Sequence, residues 1–562
     1  MERYSEIVQI LLHKIGITTL DEAEAFINPS YDEHLHDPFL MAGMSKAVDR
    51  ILRAISDGEK IAVYSDFDAD GIPAGVILHD FFKKIGFDNF VNYIPHRHTE
   101  GYGFHQDAVE KLAKDDVGLI ITVDVGITAV DAVKHASELG IDVIITDHHE
   151  PKEGLPDAIA ILNPKQVHCQ YPFDGLCGAG VAYKLIQALI IKGKQQQSKA
   201  LMFKESPEGW EKWLLDLVAI ATVADMVPLV GENRVLVHWG LIVLHKSKRV
   251  GIQALCNKLR IKQQLLDEND IGFSIAPRIN AASRMGCPED AFNLLSTTDM
   301  LEAEMLASKL ESLNNKRKGQ VAAMVRKINI KIEQMKELGD LPRVIVVGDP
   351  SWSPALVGLA AGSLADKLDK VVCVWGREGT GVLKGSCRSG DGTSVIEMFQ
   401  AVGDALLYFG GHHAAGGFAV DDEYIHTLGE ALSSAHASVS TNEHTIESVS
   451  GDIKMLLKQV NYTTLNEFKA LTPFGVGNPK PVLSFNSVEV TSVRHFGKEQ
   501  NHIEIYIKDT SGYSRKASKF FATSTSFSKE VIEGVVVTLL ANIEESSFAG
   551  RRTLELRIVD IV

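Results

Sequence analysis

The stretch Ile61–Ala74, IAVYSDFDADGIPA, sets a short apolar run directly against three acids, Asp66, Asp68 and Asp70, spaced two apart and closed by a glycine. The arrangement recurs downstream. Leu119–Val123 ends in Asp124, Val143–Thr146 in Asp147 and Ile159–Leu162 in Asn163, with helix-like stretches such as Ala129–Leu139 between them. Buried strands alternating with helical patterns predict an α/β domain, a parallel sheet covered on both faces. Ligands of such sheets lie beyond the carboxyl ends of the strands, where these runs put their carboxylates.

Alternate side chains of a tight turn can converge, and three converging carboxylates repel one another unless cations neutralise them. The D-x-D-x-D-G spacing also opens a calcium EF-hand loop, but that loop needs an acid near its twelfth position and flanking helices. Here the twelfth position is Ile77 and a strand precedes, so a catalytic divalent site fits better. Asp124 alone would serve as a helix N-cap as readily as a ligand, and adjacent histidines such as His148 and His149 are often inert in solvent loops. Together, three neighbouring strand ends form a mixed oxygen and nitrogen set suited to manganese or magnesium. A further acid, Asp225, lies in the nearly all-apolar Leu214–Leu229, LLDLVAIATVADMVPL. In that setting a carboxylate calls for a partner or a metal, unless the helix end near Pro228 exposes it. A two-metal centre uses several carboxylates, one of them bridging, and the four segments supply them.

The rest of the chain reads as further bodies. Met324, Ile328, Ile332 and Met335 recur at helical spacing, and a helix from about 300 to 338 reaches on the order of 55 Å, enough to connect two bodies. Arg343–Val347 and Lys370–Trp375 read as buried strands around a helical Ala355–Leu368, and this second, smaller α/β segment closes in the glycine-rich Phe409–Phe418. Ser433–Ser450, rich in Ser, Thr and His, suits a linker. Beyond it Ile503, Ile505 and Ile507 alternate with polar residues, and Val535–Leu540 and Leu554–Val559 are further strands, predicting a small β-barrel.

Across 562 residues, 73 acids against 57 bases leave a net charge of −16. With 45% hydrophobic and 23% charged residues, the composition excludes a disordered, collagen-like or coiled-coil chain, and the charge argues against a uniformly basic nucleic-acid binder. A local basic stripe remains compatible with it. Residues 451–562 carry 14 Lys and Arg against 12 Asp and Glu, a net +2, so the preceding 450 carry −18. Cys169, Cys177, Cys256, Cys287, Cys373 and Cys387 form no CxxC pair, which argues against a disulfide scaffold or zinc ribbon. The charged N-terminus and the lack of a long apolar run predict a soluble, cytoplasmic protein with no membrane segment.

Four segments in order, Ser65–Gly71 (SDFDADG), Thr122–Gly126 (TVDVG), Thr146–His149 (TDHH) and Val223–Leu229 (VADMVPL), resemble the acidic motifs of the DHH phosphoesterase superfamily. Its RecJ branch is indicated by Tyr93–Phe104 (YIPHRHTEGYGF), Asn163–Gln166 with Tyr171–Leu185, Ala276–Gly286 (APRINAASRMG) and Phe409–Phe418 (FGGHHAAGGF). Leu471–Pro481 (LTPFGVGNPKP) resembles the start of that branch's oligonucleotide-binding fold. The resemblance implies a DHH domain over 1–300 that includes an N-terminal helical segment, a connecting helix over 301–340, a DHHA1 domain over 341–432 and an OB-like domain over 451–562. It further implies a nuclease that degrades single-stranded DNA from the 5′ end in repair and recombination. The cofactors would be two ions of Mn²⁺ or Mg²⁺, held by Asp68, Asp70, Asp124, His148 and Asp225 with Asp124 as the bridge, while Asp66 and His149 stand at the margin of the reaction. A single-strand-binding protein and a RecQ-type helicase are the candidate partners.

On the same resemblance Arg278, Asn280 and Arg284 line the substrate channel, where arginine grips phosphate bidentately. Ser386 and Arg388 of KGSCRSG, with Gly411 and His412, would bind substrate from the opposite body. The interleaved Tyr513, Arg515, Lys516, Lys519, Phe520 and Phe521 suit stacking and phosphate contact in the last domain, although both phenylalanines fit its core nearly as well. Three positions depart from the family pattern. Ser65 stands where glycine is common, Ile72–Ala74 where Thr or Ser often follows, and Ser283 where glycine is usual; none removes a ligand, and Ser283, between the two arginines, is expected to alter substrate contacts. The polar stretch 193–213 reads as a variable insertion without a functional account. Two rivals remain: a DHH-family oligoribonuclease or cyclic-dinucleotide phosphodiesterase, which length and the last domain disfavour, and a noncatalytic replication or repair scaffold of the same fold, which the intact ligand set disfavours.

Overall fold

A computed structural model of the chain describes residues 1–195, 207–379, 381–439, 450–548 and 551–562. Most of the polar stretch 193–213 and most of the linker lie outside the described residues.

Two short helices open the chain, α1 (Glu6–Lys14) and α2 (Leu20–Ile27). Thr19 and Glu22 form a capping box on α2, in which each side chain binds the other's backbone N–H. The first large body follows, as α3 (Met44–Asp57), β1 (Lys60–Ser65), α4 (Gly71–Lys84), β2 (Phe90–Tyr93), α5 (Gln106–Lys114), β3 (Val117–Val123), α6 (Val130–Glu138), β4 (Asp142–Thr146) and β5 (Ala160–Leu162). The strands form one parallel sheet ordered β2-β1-β3-β4-β5. Continuously apolar runs form its middle because both faces are covered. Ile61, Val63, Leu119, Ile121 and Ile144 point into one core with α3 and α4, and Ala62, Tyr64, Ile120, Val143 and Ile145 into the other with α5 and α6. Helices α7 (Gly178–Gln195), α8 (Leu215–Ala224), α9 (Gly231–Lys246), α10 (Val250–Leu259), α11 (Ala276–Met285) and α12 (Glu289–Ser296) complete the body.

Helix α13 (Met300–Leu338) starts where Asp299 accepts the N–H groups of Leu301 and Glu302. Its first half contributes Ala303, Leu306, Ala307 and Leu310 to the core of the first body, and Met324, Ile328 and Ile332 enter the core of the second. One helix of 39 residues, roughly 58 Å long, therefore belongs to two cores. The second body is a five-stranded sheet ordered β6-β7-β8-β10-β9, built from β6 (Val344–Gly348), α14 (Pro354–Leu368), β7 (Val371–Arg377), β8 (Leu383–Ser389), α15 (Val395–Val402), β9 (Tyr408–Gly411), β10 (Ala415–Val420) and α16 (Leu428–Ser438).

The last body runs through β11 (Ile453–Lys454), α17 (Tyr462–Lys469), β12 (Leu483–Phe496), β13 (His502–Lys508), β14 (Ser514–Lys519), β15 (Val536–Phe548) and β16 (Arg551–Ile561). Pairing of β12 with β15 closes the five longer strands into a barrel, with β11 paired beside β12. The N-terminal helices, expected in the first body, belong instead with this one: Val8, Leu11, Leu12, Ala23 and Phe26 pack into the barrel's core beside Leu457, Phe468 and Leu483. The apolar stripes of α1 and α2 find their cover at the end of the barrel, and Lys14 adds an ion pair to Asp452.

Candidate metal centre and substrate cleft

Strand register sets the site. Ser65 pairs with Val123, Val123 with Thr146 and Thr146 with Leu162, so the residue after each strand stands at one level across the sheet. Those residues are Asp66, Asp124, Asp147 and Asn163. The N–H of Asp66 donates to Val123, that of Asp124 to Thr146 and that of Asp147 to Leu162, carrying the ladder one step past the strands. Chain direction in sheet order reverses between β1 and β3, which makes this edge a topological switch point.

Each acid is held differently. Asp70 accepts the N–H groups of Gly178 (2.6 Å) and Ala179 (2.8 Å), the first turn of α7, where unpaired amides and the helix dipole favour an anion. Asp68 accepts the N–H groups of Asp70 and Gly71, which folds the acidic turn. Gly71 is required there, because a Cβ would lie 2.6 Å from the carbonyl oxygen of Asp66. Asp225 sits at the C-terminal end of α8 and, like Asp68, is only half-buried, whereas Asp66, Asp70 and Asp124 are buried.

These side chains converge. Asp66, Asp68 and Asp124 form one group with ligand atoms within 4.8 Å of one another, and Asp70, His148 and Asp225 form a second; Asp124, His148 and His149 make a third across both. His148 Nε2 lies 3.2 Å from Asp124, 3.6 Å from Asp70 and 3.7 Å from Asp225. Burial, then the neighbouring carboxylates, raises Asp66 and Asp124 well above the ordinary range, Asp225 to about 8 and Asp70 to about 6. Burial and His149 together lower His148 to about 4. Burial and mutual repulsion thus make these carboxylates harder to ionise than free ones, a cost that a bound cation would offset. The donor set fits divalent metal on a second ground: Asp66 Oδ1 and Asp124 Oδ1 are buried and have no hydrogen-bond partner, the situation that a ligated ion resolves.

Sequence reasoning counts Asp147 only among the strand-end carboxylates, without a role of its own, yet it organises the third strand end. It accepts the N–H of Ile127 (2.9 Å) and of His148 (2.8 Å), and the Nδ1–H of His149 (2.7 Å). Burial would lower the His149 imidazole, but the Asp147 bond and charge outweigh it and lift His149 to about 9. A carboxylate fully buried at a strand end was the available signal.

Across the cleft, arginines gather. Arg284, on α11, donates to the Ala355 carbonyl in the first turn of α14 (2.7 Å) and so bridges the two bodies. Burial first, then Arg97, lowers it to about 9 against the pull of Asp68, and Arg317 and Arg388 are further cationic neighbours. Arg388 donates to Ser386 Oγ (2.6 Å) and lies across α14, where a Cβ on Gly358 would come within 3.1 Å of it. Arg97 rests on the Phe67 ring, 4.6 Å from its centroid. Gly411 (φ 147°) turns the chain so closely that a Cβ would meet the Ala415 carbonyl at 2.3 Å, and His412 after it is exposed.

Arg97 lies in the Tyr93–Phe104 motif, which by itself assigns it no role, and Arg317 does not stand out, since the basic NNKRKG of a long helix reads as a solvated face. Other residues behave differently from expectation. Arg278 directs Nε to Glu311 and Nη1 to the carbonyls of Phe273 and Ser274, so much of its donor capacity goes to protein. Asn280 accepts the Ala69 N–H and thereby supports the acidic turn. Ser283 is fully buried and bonds the Asn280 carbonyl, which removes it from substrate contact.

On the barrel, Lys516 pairs with Glu555 and Glu504, Lys519 donates to the Val559 carbonyl, and Arg515 to those of Ser514 and Val460. Its aromatics stay in solvent: Tyr513 is 46%, Phe520 50% and Phe521 82% exposed, which takes both phenylalanines out of the core. Arg557 covers the Phe520 ring at 4.7 Å. Among the described residues, no helix is long and apolar enough to cross a membrane.

Residues 60–222 match the DHH family, N-terminal domain, 341–440 the DHHA1 domain and 451–560 the RecJ OB domain. The single-stranded-DNA-specific exonuclease RecJ of Bacillus subtilis (strain 168) is 36% identical over 561 residues, covering 99% of this chain and 67% of that protein. Its namesake from Haemophilus influenzae is 29% identical and covers 94% and 91%. The crystal structure of RecJ in complex with Mn²⁺ from Thermus thermophilus superposes with a TM-score of 0.82 at 25% identity, covering 100% of this chain and 76% of that one. With three matching domain models in order and 36% identity to a RecJ over 99% of its length, the chain belongs to the RecJ family of exonucleases.

Proposed function

We propose that this chain is a single-stranded-DNA-specific exonuclease that hydrolyses phosphodiester bonds from the 5′ end with two divalent cations, Mn²⁺ or Mg²⁺. The observation that carries it is the pair of ligand groups, Asp66–Asp68–Asp124 and Asp70–His148–Asp225, joined by the 3.2 Å approach of His148 to Asp124. In this reading Asp68, Asp70, Asp124, His148 and Asp225 would hold the ions, Asp124 as the shared ligand, while Asp66 and His149 would stand at the margin, supporting those ligands or contacting the scissile phosphate. Two such ions, when bound, supply an activated water and stabilise the leaving oxygen. Asp70 is kept in place by the α7 amides, and His149 is oriented toward the site by its Nδ1–H bond to Asp147. Arg284, Arg388, Arg97 and Arg317 supply the charge that fixes the DNA backbone, and Ser386, Gly411 and His412 border them.

The division of labour follows the bodies: 1–300 holds the metals, the helix over 301–340 spans the cleft, 341–432 grips the strand and 451–562 holds its trailing part on exposed aromatics. Repair and recombination in the cytoplasm, with a single-strand-binding protein and a RecQ-type helicase supplying the strand, complete the reading. The scaffold alternative is not favoured, since no ligand is missing. Asp124→Ala tests the assignment. It abolishes hydrolysis while affinity for single-stranded DNA, read by fluorescence anisotropy, stays within about twofold; residual metal-dependent hydrolysis near the wild-type rate would remove Asp124 from the centre.

A further inference from the structure

The first turn of α9 holds three successive buried polar side chains, Glu232, Asn233 and Arg234, at 1%, 0% and 2% exposure, and none of them belongs to the ligand groups. Polar groups so deep are tied to partners, and the partners tell what they hold. Glu232 pairs with Lys184 of α7 (2.6 Å) and accepts the Tyr171 hydroxyl and the His36 N–H. Arg234 donates to the carbonyls of Phe26, Leu471, Thr472 and Pro473, joining α2 and the barrel to the first body. Asn233 Nδ2 donates to the carbonyls of Gly175 (2.6 Å) and Pro228 (3.0 Å).

Those two carbonyls sit on the supports of one ligand group. Pro228 is three residues past Asp225, and Gly175 is three residues before Gly178, whose amide grips Asp70. Asp70 and Asp225 come from unconnected segments yet share a group with His148. Resting on the reading of both as metal ligands, we propose that Asn233 is a positioning residue for the metal centre, its one amide tying the segment that carries Asp225 to the loop that aims α7 at Asp70. Both N–H groups of that amide are used. An aspartate of the same shape offers neither and would turn an oxygen toward two carbonyls, while alanine offers nothing.

The test follows Mn²⁺ titrations of the full chain by two readouts, the metal-induced rise in melting temperature and the rate of single-strand hydrolysis. Asn233→Asp and Asn233→Ala are expected to need about tenfold more Mn²⁺ for half-saturation in both, with the rate substantially recovered at saturating metal. Leu432→Ala, a core truncation in α16 of the second body, melts earlier but titrates like the wild type. Wild-type titration midpoints in both Asn233 variants would overturn the proposal, as would failure of both to fold, because the residue's role would then be the fold alone. No Mn²⁺-dependent shift in the wild type would instead overturn the ligand assignment itself, and the proposal with it.

Discussion

Asp124 adopts a left-handed backbone conformation, φ 62°, and Met226, directly after Asp225, does the same at φ 59°. Non-glycine residues rarely sit there, at a cost of about 1–2 kcal/mol each, and such strain concentrates where a side chain must be aimed. The turn at Asp124 leaves it under α7, where Gly178 leaves no room: a Cβ would stand 2.5 Å from that of Asp124. Helix propensity alone would make Gly178→Ala stabilising by roughly 0.5–1 kcal/mol. Overpacking against Asp124, worth about 1–3 kcal/mol, outweighs it. Gly178→Ala is therefore expected to lower the denaturant midpoint and raise the Mn²⁺ needed for half-maximal activity; a more stable protein with unchanged metal dependence would refute the contact. A second residue-scale expectation concerns Asp147. Asp147→Asn keeps the volume but removes the charge that orients His149, so activity is expected to fall about 10–100-fold while Mn²⁺ binding persists. Isothermal titration calorimetry separates the two effects.

At the scale of elements, the strands were the most legible part. Four apolar runs ending in an acid or asparagine were visible because a parallel strand covered on both faces needs no alternation, and register then placed those end residues side by side. The long helix was equally plain from Met324, Ile328 and Ile332, although its sharing between two cores emerges only from packing. Ile328→Ala is expected to destabilise by roughly 2–5 kcal/mol, and in hydrogen exchange the loss should fall on the second sheet, leaving β1, β3 and β4 protected; uniform loss would mean that the two cores unfold as one. The arginines of the cleft were half legible. Arg97, Arg284 and Arg388 stand in distinctive motifs, whereas Arg317 sits in an ordinary basic helix face, and it is tertiary approach that makes Arg97, Arg317 and Arg388 neighbours of Arg284. Arg278, which looked equivalent, is engaged by Glu311 because α11 packs that face against α13.

For the whole molecule, the placement of the N-terminal helices on the barrel changes what a deletion means. Removing 451–562 would test more than the barrel's contribution to DNA binding. The structure shows that it would also strip the cover from Val8, Leu11 and Leu12 and take the Leu471, Thr472 and Pro473 carbonyls from buried Arg234. Such a truncation is expected to be poorly soluble, so Phe521→Ala is the better probe. Losing one stacked base is worth about 1–3 kcal/mol, which predicts weaker binding of long single strands with unchanged hydrolysis of short ones. Long-range pairing of the N-terminal helices with the C-terminal barrel leaves no trace in local pattern, and that is why it was missed. The net charge of −16, in contrast, misled less than it threatened to. Several of its acids make up the groups that could hold metal, and Arg97, Arg284, Arg317 and Arg388 gather near one another.

The most direct test digests single strands labelled separately at the 5′ and the 3′ end, beside a blunt duplex, with Mn²⁺, Mg²⁺ or chelator. The account predicts that the 5′ label leaves first as mononucleotide, only with metal, and that the duplex resists. First release of the 3′ label, hydrolysis in chelator or equal digestion of the duplex would contradict it.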